Sequence, residues 1–116
     1  MTAFQYNEAF SRNIGVVSTA EHERLRNATV AIAGMGGVGG DYLISLVRAG
    51  IGGFRLAEFD TFELANFNRQ YGANMSTIDR PKLDVMVEYA LQINPELRIE
   101  TFPQGVDTSS IDAFVD

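Results

Sequence analysis

Five glycines fall within the seven positions 34–40, GMGGVGG, and an apolar run of helical spacing follows at once. Gly34, Gly36 and Gly39 match G-x-G-x-x-G, preceded by the β-branched, apolar stretch ATVAIAG (28–34). Missing β-carbons permit a tight turn, let an oxygen-rich ligand reach the backbone and bring helix against strand. The helix start adds free N–H groups and about half a positive charge, which stabilises a phosphate by on the order of 1 kcal/mol. An acid about 20 residues further on, at the end of the next strand, would accept hydrogen bonds from a ribose. Glu58 stands there, and Asp60 follows two positions later, on the same face if the strand continues to 60.

Beyond that strand, DTFELANFNRQY (60–71) places Asn66, Asn68, Arg69 and Gln70 past the carboxyl edge of the sheet, where open α/β folds bind ligands. Hydride transfer has no use for a guanidinium beside phosphates, whereas cleavage of a triphosphate must neutralise charge moving onto a leaving group. Arg69 and Lys82 have the chemistry for that task. Lys82 falls in the first turn of a helix, from which its stem swings back over the sheet edge instead of packing in the core. Asn66 and Asn68 also suit turn formation. His22, among EHERLR, reads as a surface residue, and Phe54, Phe59 and Phe62 read as core.

The elements that must position these residues alternate. STAEHERLRNA opens with Ser18 and has Glu21 three residues on, the reciprocal capping pattern of a helix over about 19–27, with another helix within 2–13. The run 28–34 suits a central strand buried on both faces. Val38, Tyr42, Leu46 and Ala49, flanked by Leu43 and Val47, follow helical spacing up to Gly50, a left-handed C-terminal glycine. GFRLAEFD (53–60) reads as a second strand, and FELANFNRQY as a loop with one tight helical turn. Asp79 as cap, Pro81 at the first helical position and the stripe Leu83, Met86, Val87, Ala90, Leu91 predict the next helix. LRIETFPQGV (97–106) gives a third strand broken near Pro103, and SSIDAFVD begins another helix. Strand–helix–strand–helix–strand predicts an α/β fold with a mainly parallel sheet and right-handed crossovers. Three parallel strands are few for that class, so the chain reads as the front part of a larger fold.

Composition bounds the rest. The 116 residues suit a single domain (1–116), with a helical arm over 1–27 and a βαβαβ core over 28–106. Hydrophobic residues at 46% and charged residues at 21% are globular values. A net charge of −6 argues against a broad grip on nucleic acid or anionic membrane. The absence of cysteine removes disulfides, thiolate zinc sites and a cysteine nucleophile. No apolar run reaches the roughly 18 residues of a spanning helix, and MTAFQYNEAFSRN lacks signal-peptide order, which makes the cytoplasm the default compartment.

GMGGVGGDYLISLVRAGIG, LAEFDTFELANFNRQ and DRPKLDVMVEYALQINP resemble, in that order, the adenylating domain of the ThiF, MoeB and HesA family, relatives of the ubiquitin-activating enzymes. The resemblance covers about 28–106 and extends to FSRNIG near the N-terminus. It implies a Rossmann-like three-layer fold that binds ATP and magnesium. The implied activity is adenylation of the C-terminal carboxylate of a small ubiquitin-like or sulfur-carrier protein, with release of pyrophosphate. Related branches activate other carboxylates or amides, or dehydrate a modified base in tRNA. Carried over, Gly36, Gly37 and Gly39 lie beneath the nucleotide, and Glu58 takes the ribose hydroxyls where the family usually has Asp. Asn66, Arg69, Gln70 and Lys82 line the phosphates. Arg12 resembles an arginine that reaches a partner subunit's ATP site, implying a homodimer. A magnesium-holding aspartate follows a later strand in the family. No residue here is assigned to that metal, which implies a fragment with little activity of its own. An NAD-dependent oxidoreductase and a catalytically silent scaffold subunit remain the alternatives.

Overall fold

Three five-residue strands, β1 (Thr29–Ala33), β2 (Gly53–Ala57) and β3 (Arg98–Phe102), run parallel in the order β1-β2-β3 in a computed structural model that describes residues 2–116. Helices α3 (Gly37–Ala49) and α4 (Lys82–Ile93) form the crossovers. An arm of α1 (Tyr6–Ala9), a 3-10 turn (Ser11–Asn13) and α2 (Thr19–Asn27) precedes them. A second 3-10 turn spans Leu64–Asn66, and α5 (Ile111–Val115) ends the chain. Register pairs Val30 with Phe54, Ile32 with Leu56, and Phe54 with Ile99, so alternation puts these side chains on one face. There Ile32, Phe54 and Leu56 pack with Leu43, Ile44 and Val47 of α3 and with Leu83, Val85, Met86 and Ala90 of α4. α5 lies on the opposite face, its Phe114 edge-on to Phe102 and its carbonyl bonded by Arg55. This gives the three layers. No helix among the described residues is long and apolar enough to cross a membrane.

Among the described strands β2 lies between β1 and β3, and Thr29, Ala31 and Ala33 of β1 are exposed in this chain. The helical stripe of α3 differs from the expected one: its core face is Gly40, Leu43, Ile44 and Val47, while Val38 and Tyr42 are exposed. Gly40 selects that face. A β-carbon there would stand 3.2 Å from the Met35 carbonyl oxygen and 3.4 Å from the Met86 methyl, so the bare glycine is what lets α3 sit this close.

α4 buries Leu83, Met86 and Ala90 as its periodicity predicts, and Val85 besides, but Leu91 faces outward. Asp79 does not cap it. Its amide bonds the Phe62 carbonyl at φ +67, Phe62 in turn bonds Arg80, and Thr61 bridges Pro81. This tie to the preceding loop turns Asp79 away, and Pro81 takes the N-cap position. β2 likewise stops at Ala57, three residues before the expected end.

The arm is fastened to the far end of α3. Ser18 and Glu21 complete their capping box at 3.1 and 2.8 Å. Asn13 donates to the Arg48 and Ala49 carbonyls and Tyr6 Oη to that of Gly50, satisfying groups that a helix C-terminus leaves open. Gly50 adopts φ +106, as expected. His22 is buried, not superficial: it packs against Tyr6 and Phe10, with Nε2 unpartnered. Its polar neighbours along the helix concealed a burial that depends on the arm folding over α2. Arg98 reaches from β3 to the Arg26 and Ala28 carbonyls, holding the end of α2 against the sheet.

Two outcomes follow. A β-carbon at Gly39 would lie 1.8 Å from the Gly34 carbonyl oxygen, so Gly39→Ala should destabilise the fold by about 3 kcal/mol or more, read as a lower urea midpoint. Burial raises the Tyr6 phenol above its ordinary 10.0, opposed by Arg26 and assisted by Glu23. The folded state therefore favours the neutral phenol, so this stabilisation is whole below the unfolded value and is lost as the pH rises through the folded one. Urea titrations at stepwise increasing pH should show that alkaline loss, and Tyr6→Phe should lack it while costing about 0.5–1.5 kcal/mol at neutral pH.

Candidate nucleotide site

The glycine loop is closed by backbone bonds. Gly34, at φ +97, donates to the Ala57 carbonyl at 2.7 Å, tying the loop to the end of β2. α3 then starts at Gly37. Its first backbone bond within the helix register is Gly40 N to Gly36 O, so the amides of Gly37, Val38 and Gly39 have no helical acceptors. They form the positive end of a 13-residue helix.

Glu58 is bound more fully than its sequence position indicates. Its Oε1 accepts from Met35 N inside the glycine loop at 2.8 Å, and its Oε2 accepts from Phe59 N and Asp60 N at 3.0 and 3.1 Å. The Asp60 carbonyl in turn accepts from Lys82 N, so one hydrogen-bonded path joins the glycine loop to the start of α4. Because β2 ends at Ala57, Glu58 and Asp60 do not share a strand face as expected; Asp60 is exposed, and its backbone provides the link. G-x-G-x-x-G spacing locates an acid near the loop but does not show that the acid fastens it.

The NFNRQ segment lies against the same loop. At Gly36 a β-carbon would stand 3.5 Å from the Gln70 side-chain amide, and at Gly37 it would stand 3.8 Å from Arg69 Cγ. Gln70 is 7% exposed and its Oε1 has no hydrogen-bond partner. The Arg69 guanidinium is exposed and donates to the Ala65 carbonyl and to Asn68 Oδ1, so it is held by its own loop. Asn66 Oδ1 accepts from Glu63 N, capping the 3-10 turn, and Asn68 orients Arg69. Both asparagines thus shape the segment.

Lys82 departs from its expected place. It is 7% exposed instead of swinging free over the sheet edge, with its ammonium 5.8 Å from the centre of the buried Phe62 ring. Among the described residues no carboxylate lies within ion-pair distance of it. Aromatic attraction supplies only about 0.5–2 kcal/mol. Phe54 and Phe62 are core as read, but Phe59 is 72% exposed at the carboxyl edge beside Glu58.

Arg12 is not brought to this site. It is exposed in the 3-10 turn beside Asn13, which holds the opposite end of α3, a helix about 20 Å long. Among the described residues no three His, Asp or Glu side chains gather to hold a metal ion, so the residues present do not form the implied magnesium site. Bare glycines and unpaired helix amides are the groups of this edge that can donate to an anion.

The chain is 36% identical over 107 residues to the tRNA threonylcarbamoyladenosine dehydratase of Bacillus subtilis, covering 92% of this chain and 42% of that protein. It is 37% identical over 97 residues to ubiquitin-like modifier-activating enzyme 5 of Arabidopsis thaliana, covering 84% and 22%. The E. coli tRNA N6-threonylcarbamoyladenosine dehydratase solved in complex with ATP superposes with a TM-score of 0.90 at 26% identity, covering 98% of this chain and 47% of that one. The chain thus spans less than half the length of each. Residues 10–116 match the ThiF family, and this chain belongs to it.

Proposed function

We propose that the chain is the nucleotide-binding part of an ATP-dependent adenylating enzyme. It acts as one domain, and the acceptor is the C-terminal carboxylate of a small ubiquitin-like or sulfur-carrier protein in the cytoplasm. The observation that carries this reading is the meeting of the unpaired first amides of α3 with two bare glycines, Gly36 and Gly37, against which Gln70 and Arg69 pack. The hydride-transfer alternative gives Arg69 and Lys82 nothing to do.

In the reaction a carboxylate oxygen of the acceptor attacks the α-phosphorus. The bond to the bridging oxygen breaks, and pyrophosphate leaves with the electron pair. Residues of this chain work by position and charge. The α3 amides seat phosphate oxygens, Lys82 offsets charge from the α4 side, and Arg69 turns from its loop carbonyl toward the leaving group. Glu58 holds the loop and faces the ribose. Arg12, remote from its own loop, completes the site of a second copy in a homodimer.

A second acceptor, a modified adenosine in tRNA, is favoured by the likeness to the B. subtilis and E. coli dehydratases. The net charge of −6 weighs against it, because a tRNA grip draws on cationic surface.

Pyrophosphate exchange in the complete gene product tests the reading. Exchange should rise with the right acceptor, carrier or tRNA, and Arg69→Ala should lower it about 10²–10³-fold, the effect of losing one oxyanion donor. Unchanged exchange would remove Arg69 from the reaction. On this chain, calorimetry should show binding of ATP in preference to NAD. Gly37→Ala introduces only ordinary contacts, and should leave stability equal or raise it by up to about 1 kcal/mol. The same methyl should weaken ATP at least about tenfold by standing where phosphate oxygens approach.

A further inference from the structure

We infer that Asn13 is a positioning residue that presents the neighbouring Arg12 guanidinium to the nucleotide site of a second copy. The inference rests on the homodimer reading above and adds the group that aims the arginine. Arg12 does not hold a direction by itself. It is exposed in a three-residue 3-10 turn, and among the described residues no carboxylate lies within ion-pair distance of it. Fixing so long a side chain costs rotamer entropy, and a rigid backbone beneath it keeps that cost from growing.

Asn13 supplies that rigidity through both its side chain and its backbone. Its Nδ2 donates to the Arg48 and Ala49 carbonyls at 3.2 and 3.3 Å, which ties the arm to the last turn of α3. Its amide donates to the Phe10 carbonyl at 3.0 Å, and its own carbonyl accepts from Val16 N and Val17 N, both at 3.2 Å. Gly15, at φ +113, gives the reversal that closes these last two bonds. The carbonyls at the negative end of α3 would otherwise attract a cation, but here they are bonded by the neutral amide of Asn13. The guanidinium beside it stays available to a partner. Ile14 and Val16, 46% and 91% exposed, follow Arg12 in the same turn, an apolar surface next to a cation that a second copy would cover.

Subunit mixing in the complete gene product, read by pyrophosphate exchange, separates aiming into a partner from support of the residue's own subunit. Asn13→Ala alone should lower the exchange rate about 10- to 100-fold, the cost of a misplaced group, with the KM for ATP little changed. Arg69→Ala disables its own site but keeps Asn13 and Arg12. Mixed with it, Asn13→Ala should recover toward about a quarter of the wild-type rate, the share of intact sites in freely reassorted dimers. Arg12→Ala mixed with Arg69→Ala should recover equally. On this chain Asn13→Ala should bind ATP within about twofold of the unaltered sequence by calorimetry. Recovery for Arg12→Ala but not for Asn13→Ala, or loss of ATP binding by Asn13→Ala, would make Asn13 a support of its own subunit and overturn the inference. Recovery for neither would remove Arg12 from the partner's site, which overturns the inference and leaves the nucleotide reading intact. Failure of the unaltered chain to bind ATP would overturn both.

Discussion

The structure depends on a contact between two pieces of backbone. Where Gly39 in the first turn of α3 passes the Gly34 carbonyl, there is no room for a single additional carbon atom. That approach sets the height and tilt of α3 over the sheet, brings Gly40 against Met35 and Met86, and determines which face of the helix becomes core. It also aims the unpaired amides of the helix start along the carboxyl edge of the strands. Helix packing and the placement of its unpaired first amides therefore draw on the same steric absence.

Around that contact lie the unpaired amides of the helix start and, packed on Gly37, Arg69, while Lys82 opens α4. They are held differently. The amides are fixed by the fold, and Lys82 is buried against Phe62 without a counter-ion. Arg69 is retained by its own loop through a carbonyl and an asparagine. Glu58 stands beside the same loop, its carboxylate accepting from three backbone amides.

At the other end of α3 the N-terminal arm caps the helix. Asn13, Tyr6 and the buried His22 gather round Gly50, so the arm is anchored by the carbonyls that a lone helix would leave to water. One helix thus organises both ends of the molecule, and Arg12 is placed about a helix length from the loop of its own chain.

Local signals in the sequence were enough for the element types, the glycine loop, the capping box at Ser18 and Glu21, and the left-handed Gly50. Each is determined by residues within a few positions of one another, and by steric rules that hold in any context. The residues proposed for the site could be named for the same reason, since Arg69, Gln70 and Lys82 follow the second strand in order. Tertiary structure decided what depends on distant segments. It turned Val38 and Tyr42 outward, diverted Asp79 from capping, buried His22 and Lys82, exposed Phe59, and assigned Glu58 to the loop. The physical reason is common to these cases: periodicity and charge specify what a residue can do, whereas burial and hydrogen-bond partners are set by whatever part of the chain folds against it.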